Sequence, residues 1–153
     1  MSAILKPAIE LRRMAEADLP AVMAIEAEIY AFPWTLGNFR DSLAAGYCCS
    51  TYVREGELSG YSVLMLAADE AHLLNLSIAA MKQRQGHGSM LLRHVCELSR
   101  ERGARLIFLE VRPSNLAGLG LYARHGFQRV GLRRDYYPAA QGREDALILS
   151  LPL

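Results

Sequence analysis

Cysteine is scarce in this chain and badly placed for cross-linking: Cys48, Cys49 and Cys96 are the only three in 153 residues, and two are neighbours. No C-x-x-C pair occurs, which argues against a disulfide framework and for a reducing, cytoplasmic setting. Charge is not one-sided either. Seventeen basic and sixteen acidic residues leave a net charge of +1, far from the basic excess of a general nucleic-acid binder, so no direct nucleic-acid contact is expected. No apolar run approaches the ~18 to 20 residues that span a bilayer. No basic stretch followed by an apolar run and a small-residue cleavage site marks a leader. His72, His87, His94 and His125 show neither H-E-x-x-H nor any other ligand spacing, so no metal is expected. Repeats, low-complexity tracts and linkers are also missing. What the chain does have is 52% hydrophobic residues, enough for one self-sufficient core. The expectation is a single domain over residues 1–153, acting as a monomer.

The hydrophobic pattern predicts an order of elements. Ile9 to Met14 reads as a strand. Asp18 is placed to cap a helix with Pro20 in its first turn, and Pro33 ends that helix. Thr35 caps a short second helix bearing Leu36, Phe39 and Leu43. Tyr47 to Arg54 and Leu58 to Leu66 form a hairpin around Glu55-Gly56-Glu57, and His72 to Ile78 is a further strand. A long helix follows over about Gly88 to Arg102, with Gly103 past its end. Leu106 to Val111 is a buried strand, and Leu116 to His125 a helix closed by Gly126. Phe127 to Leu132 and Ala146 to Leu151 are the last two strands. Hairpins mixed with crossovers give an α/β domain with a mixed, largely antiparallel sheet flanked by helices.

One loop carries chemistry. Gln83-Arg84-Gln85-Gly86-His87-Gly88 follows a strand and opens the long helix. Unpaired N–H groups at a helix start, the helix dipole and glycines that admit close approach suit a phosphate, with Arg84 as a further cation. A simple turn would also fit. A P-loop is excluded because no lysine follows either glycine. A dinucleotide fingerprint is excluded because Leu91 stands where its third glycine belongs.

These six residues fit the Q/R-x-x-G-x-G/A signature of GNAT acetyltransferases. The chain resembles, over nearly its whole length, the bacterial ribosomal-protein alanine N-acetyltransferases within that superfamily. The resemblance rests on Ala31-Phe32-Pro33-Trp34-Thr35, Leu109 to Asn115, Leu121-Tyr122, Gly126-Phe127, Arg134 to Pro138 and Gly142 to Ala146, in that order. It implies a GNAT fold and acetyl-CoA as acetyl donor. The pyrophosphate would lie on Gln83, Arg84, Gln85, Gly86, His87, Gly88 and Ser89. The pantetheine arm would pair with the backbone of Leu76, Ser77 and Ile78, and Asn115 would also touch the cofactor. The implied acceptor is a protein N-terminus, that of a small-subunit ribosomal protein. Two departures stand out: Ala79-Ala80-Met81 where relatives often carry an acidic residue and proline, and Gly118 and Gly120 where alanines are common.

Glu110 is the candidate base. It interrupts the apolar run Ile107-Phe108-Leu109-Glu110-Val111, where a carboxylate is costly without a partner or a task; a solvent-facing glutamate or a pair with Arg112 is the plainer alternative. Tyr122 is the candidate acid, since a phenol near pKa 10 is protonated at working pH and can supply a thiolate of pKa about 8.5; a core tyrosine is the alternative. The resemblance implies these two catalytic roles. It also sets Trp34, Arg134, Tyr136 and Tyr137 around the acceptor, where the aromatics would otherwise simply anchor loops. Glu144 and Asp145 are candidates to attract basic residues that follow the acceptor alanine. Two rival readings remain: the same fold with another protein terminus or a small amine as acceptor, and a non-catalytic acyl-CoA sensor.

Overall fold

A computed structural model describes residues 8–153. Strand β1 (Ile9–Arg13) leads through a 3-10 turn at Glu16–Asp18 into helix α1 (Leu19–Ile29), and helix α2 (Leu36–Ala44) follows. Asp18 does not cap α1 with its side chain. Its carboxylate instead accepts the Ala15 N–H at 2.7 Å and meets both terminal nitrogens of Arg12 at 2.8 and 2.9 Å. The aspartate was better employed closing the turn before the helix, where a cation lies within reach. Thr35 caps α2 as expected: its hydroxyl accepts the Asn38 N–H at 3.1 Å, and the Asn38 amide oxygen accepts the Thr35 N–H at 2.9 Å, a reciprocal pair at a helix start.

Strands β2 (Cys48–Arg54), β3 (Glu57–Ala67) and β4 (Glu70–Ile78) form a meander. Helix α3 (His87–Glu101) then crosses to β5 (Leu106–Val111), and helix α4 (Leu116–Arg124) leads to β6 (Gln128–Pro138) and β7 (Arg143–Pro152). The sheet order is β1-β2-β3-β4-β5-β7-β6, and only β4 and β5 run parallel. The last two strands are longer than the apolar runs that predict them. Pairing resumes at Tyr137 opposite Glu144 and Pro138 opposite Arg143, after an irregularity between Arg133 and Tyr137 where Asp135 takes φ +51°. A polar edge strand with a bulge shows no two-residue hydrophobic alternation, so its outer half reads as loop.

The sheet's alternating side chains feed two apolar clusters. Leu19, Val22 and Ile25 of α1 and Phe39 of α2 pack with Tyr61 and Val63. Leu92 and Val95 of α3 and Tyr122 of α4 pack with Leu64, Ile107 and Leu109. Val63 and Leu64, adjacent in β3, go to different clusters, as opposite faces of a pleat require.

One irregularity in the sheet positions everything that follows. β4 and β5 pair only at Glu70–Leu106, Ala71–Ile107 and His72–Phe108. Beyond His72 the strands run on, to Ile78 and Val111, without pairing to each other. Its local cause lies in β4: Leu73 faces Leu64 and Asn75 faces Val63, so Leu74 is an extra residue with no partner in β3. A bulge of this kind bends its strand. The result is a wedge-shaped gap with unpaired β4 backbone along one wall.

Candidate active site

Glu110 stands on the β5 wall of the gap with only 8% of its side chain exposed. Neither plainer alternative holds. Its Oε2 accepts a hydrogen bond from His72 Nε2 at 2.5 Å, and Arg133 Nε lies 3.6 Å from Oε1. Burial pushes the carboxyl's pKa up. The hydrogen bond from His72, its charge and that of Arg133 together outweigh burial and hold the group below its ordinary range. Glu110 is therefore an anion at neutral pH, shielded from water, and a proton acceptor. Arg112 is occupied elsewhere: its guanidinium donates to Pro138 O at 2.7 Å and Glu144 Oε1 at 3.1 Å, and lies over the rings of Tyr137 and Phe32 at 4.3 and 5.4 Å.

Tyr122 reaches its place from α4 and is 8% exposed, its ring edge-on to Phe127 at 5.4 Å. Burial, and then the phenols of Tyr30 and Tyr137, push its pKa well up. It stays protonated throughout the physiological range, which makes it a donor and not a base. Tyr137 is half-buried. Its pKa too is raised, by burial first and then by the negative charge of Glu110. Tyr136 meets Tyr137 edge-on at 4.8 Å, and Arg133 lies 5.7 Å over Tyr136.

Other predicted residues fall differently. Trp34 packs its ring on Phe39 at 5.1 Å, so it anchors the α1–α2 loop on the core. Arg134 is exposed and has no hydrogen bond or ion pair among the described residues; its neighbour Arg133 is the one that reaches Glu110. Glu144 accepts from Arg112 and from both N and Oγ of Ser114, and Asp145 accepts the Asp135 N–H at 2.9 Å. Glu144 thus braces the loop after β5, and Asp145 the bulge of β6.

The glycine loop has the build of an anion site. Gly86, the residue before α3, sits at φ +86°, where an L side chain would be strained, and no side chain caps the helix. Its first N–H groups thus have no side-chain competitor. Gln83 and Gln85 bind the loop itself, donating to Ile78 O at 3.0 Å and Met81 O at 3.1 Å. Arg84 holds φ +63°. The ring of His87 points inward: Nδ1 lies 2.6 Å from Tyr52 Oη and Nε2 lies 3.4 Å from Arg54. Burial, Arg54 and Lys82 push its pKa down, and both ring nitrogens are already taken up by Tyr52 and Arg54. Ser89 Oγ is bonded to His125 Nε2 at 3.0 Å, and Gly88 lies against Leu121. Asn115 caps α4, accepting the Gly118 N–H at 2.9 Å. A Cβ at Gly118 would meet the Asn115 amide nitrogen at 2.7 Å, so this glycine accommodates the cap.

Sequence reasoning missed the network behind the gap. Glu26 is 1% exposed. It accepts from Tyr61 Oη at 2.8 Å, Asn75 Nδ2 at 3.0 Å and the Trp34 N–H at 2.9 Å. Ser77 Oγ donates to Asn75 Oδ1 at 2.6 Å, and Tyr30 Oη in turn donates to Ser77 at 2.6 Å. Burial pushes the Tyr30 phenol up to about 12. These bonds tie the α1–α2 loop to the unpaired stretch of β4. The signal was position: Glu26 falls four residues after Val22 and three before Ile29, on the apolar face of α1, whereas Glu28 falls on the exposed face.

A mixed seven-stranded sheet opened between its two parallel strands, with a glycine loop at the start of the following helix, is the GNAT acyltransferase architecture. Residues 12–127 match the acetyltransferase (GNAT) family, and the chain belongs to that family as an N-acetyltransferase. It is 38% identical over 136 residues to the Escherichia coli K12 ribosomal protein bS18-alanine N-acetyltransferase, covering 89% of this chain and 92% of the relative. It is 31% identical over 144 residues to the Haemophilus ducreyi enzyme of the same name, covering 94% and 99%. The crystal structure of the E. coli ribosomal-protein-S18-alanine N-acetyltransferase superposes with a TM-score of 0.88 at 36% identity, covering 95% of this chain and 94% of that one. Ard1 from Thermoplasma volcanium shares the fold, with a TM-score of 0.84 at 22% identity and coverage of 95% and 98%.

Proposed function

We propose that this N-acetyltransferase modifies the α-amine of an N-terminal alanine, that of a small-subunit ribosomal protein, by direct attack within a ternary complex. The observation that carries the reading is a buried anionic acceptor, Glu110, on the wall of a gap lined by unpaired β4 backbone, with a buried protonated donor, Tyr122, whose phenol has Tyr137 as a neighbour in common with Glu110. The names of its relatives support the acceptor. The protein acts as one domain, a monomer in the cytoplasm, where the free thiols of Cys48, Cys49 and Cys96 suit a reducing milieu.

Acetyl-CoA fits the residues present and supplies an activated thioester. Backbone of Leu76, Ser77 and Ile78 would hold the pantetheine arm as an added strand, and an N–H there would polarise the thioester carbonyl. The start of α3, with Gln83 to Ser89 around it and Arg84 beside it, would hold the pyrophosphate. Asn115 lines the same path. Glu110 would take the amine proton, directly or through one water, as the nitrogen bonds to the acetyl carbon, and Tyr122 would donate its proton to the sulfur as the C–S bond breaks. An α-amine of pKa about 7.7 to 8.0 is partly neutral at pH 7, so one carboxylate is base enough; a lysine near 10.4 would demand more. Tyr136, Tyr137 and Arg134, with Arg133 beside them, wall the acceptor side, and Trp34 supports it from behind.

Tyr122→Phe is expected to lower kcat about 100-fold while leaving the acetyl-CoA dissociation constant unchanged; an unchanged kcat would make the tyrosine structural. The acceptor is tested by comparing a short alanine-starting peptide with polyamines and amino sugars. Turnover confined to the peptide supports the reading. Faster turnover of a small amine would replace it, and cofactor binding without turnover on any acceptor would mark a sensor.

A further inference from the structure

We propose that His72 is a positioning residue for Glu110, fixing the carboxylate in the orientation from which it accepts the amine proton. The proposal rests on the base role assigned to Glu110 above. His72 is the last β4 residue paired to β5, opposite Phe108, and Glu110 lies two residues further along β5. Side chains two apart on a strand share a face, so the imidazole and the carboxylate meet just where the backbone ladder stops. Their 2.5 Å bond bridges the apex of the gap that the strands themselves no longer close.

The ring is itself held. It stacks on Phe108 with centroids 4.3 Å apart and planes 19° from parallel, and only 15% of the side chain is exposed. A carboxylate only accepts, so Nε2 carries the proton of this bond. The groups facing Glu110 are His72 from β4 and Arg133 and Tyr137 from β6. Arg133 is a looser restraint: it is half exposed and stands 3.6 Å away, beyond good hydrogen-bond length. The single short, buried bond that selects a Glu110 rotamer comes from His72, and it engages Oε2. Oε1 accepts no side-chain hydrogen bond among the described residues, Arg133 standing 3.6 Å away, and is the oxygen left to take the amine proton.

Two substitutions separate positioning from packing. His72→Phe keeps an aromatic ring on Phe108 and removes the donor; His72→Gln gives up the ring and keeps an N–H at similar reach. With acetyl-CoA and an alanine-starting peptide, His72→Phe is expected to lower kcat about 10- to 100-fold, the scale of a misplaced catalytic group. The KM for acetyl-CoA should stay unchanged. His72→Gln should recover most of the loss, and adding His72→Phe to a Glu110→Gln enzyme should cost nothing further. An unchanged kcat in His72→Phe beside an impaired Glu110→Gln enzyme overturns the positioning role and leaves the base intact. Equal losses in both His72 variants, matched by lower melting temperatures, overturn it in favour of packing. Full activity of Glu110→Gln removes the base assignment, and this proposal with it.

Discussion

Glu110→Gln is expected to turn over about 100-fold more slowly than the parent at pH 7, at the lower end of what a positioned base contributes. The substitution keeps size and one acceptor oxygen, so His72 retains a partner while the ability to take a proton is lost. The sign with pH follows from two ionisations. Glu110 is held below the ordinary carboxylate range, so the parent's base is already ionised across the neutral range and contributes no limb there. The acceptor amine, with pKa about 7.7 to 8.0, becomes neutral on its own as pH rises through 8. The variant's deficit should therefore be largest at low pH and narrow towards pH 9. Initial rates at saturating acetyl-CoA from pH 6 to 9 measure it. Equal activity throughout would remove Glu110 from the base role.

The second large effect concerns stability. Glu26→Ala is expected to cost about 3 kcal/mol or more, because Tyr61 Oη and Asn75 Nδ2 lose their acceptor in the buried interior and the Trp34 N–H loses its own at the part-buried loop, at about 1–3 kcal/mol for each group left unsatisfied. For a chain of this size that lowers the melting temperature by roughly 6–12 °C. Glu26→Gln should fall between: its amide oxygen can replace Oε1 for Tyr61 and Asn75, while its NH₂ would confront the Trp34 N–H, donor against donor. The KM for the peptide should rise in both variants, since the loop carrying Trp34 loses its tie to β4. Thermal unfolding followed by circular dichroism checks the ranking. A loss under about 1 kcal/mol in Glu26→Ala would mean that water satisfies these donors and that the network does not brace the gap.

Much of this fold was legible because its elements obey simple periods. The apolar face of α3, the buried run Leu106 to Val111 and the Thr35 cap all appear where hydrophobic spacing and capping chemistry place them. The β6–β7 hairpin was legible only in its inner half, because Arg133 to Tyr136 are exposed edge residues across a bulge and bury no face. Asp18 misled because a capping residue type says nothing of a competing arginine six positions earlier.

In the site, Glu110 and Tyr122 were visible as chemistry out of place or in sequence context. Their neighbours were not. His72 meets Glu110 only because β4 lies beside β5, and Arg133 arrives from an edge strand two places away in the sheet. Pairings of that kind are products of topology, which hydropathy does not encode. Likewise nothing local in His87 reveals that its ring turns inward to Tyr52 while its backbone faces the loop.

The central claim is that the gap beside Glu110 and Tyr122 acetylates a free α-amine. Its most direct test is acetyl-CoA turnover on a peptide with a free N-terminal alanine, run beside the same peptide already N-acetylated but containing lysine. Acetylation of the free terminus alone is the predicted result. Acetylation of the lysine in the blocked peptide at a comparable rate would contradict it.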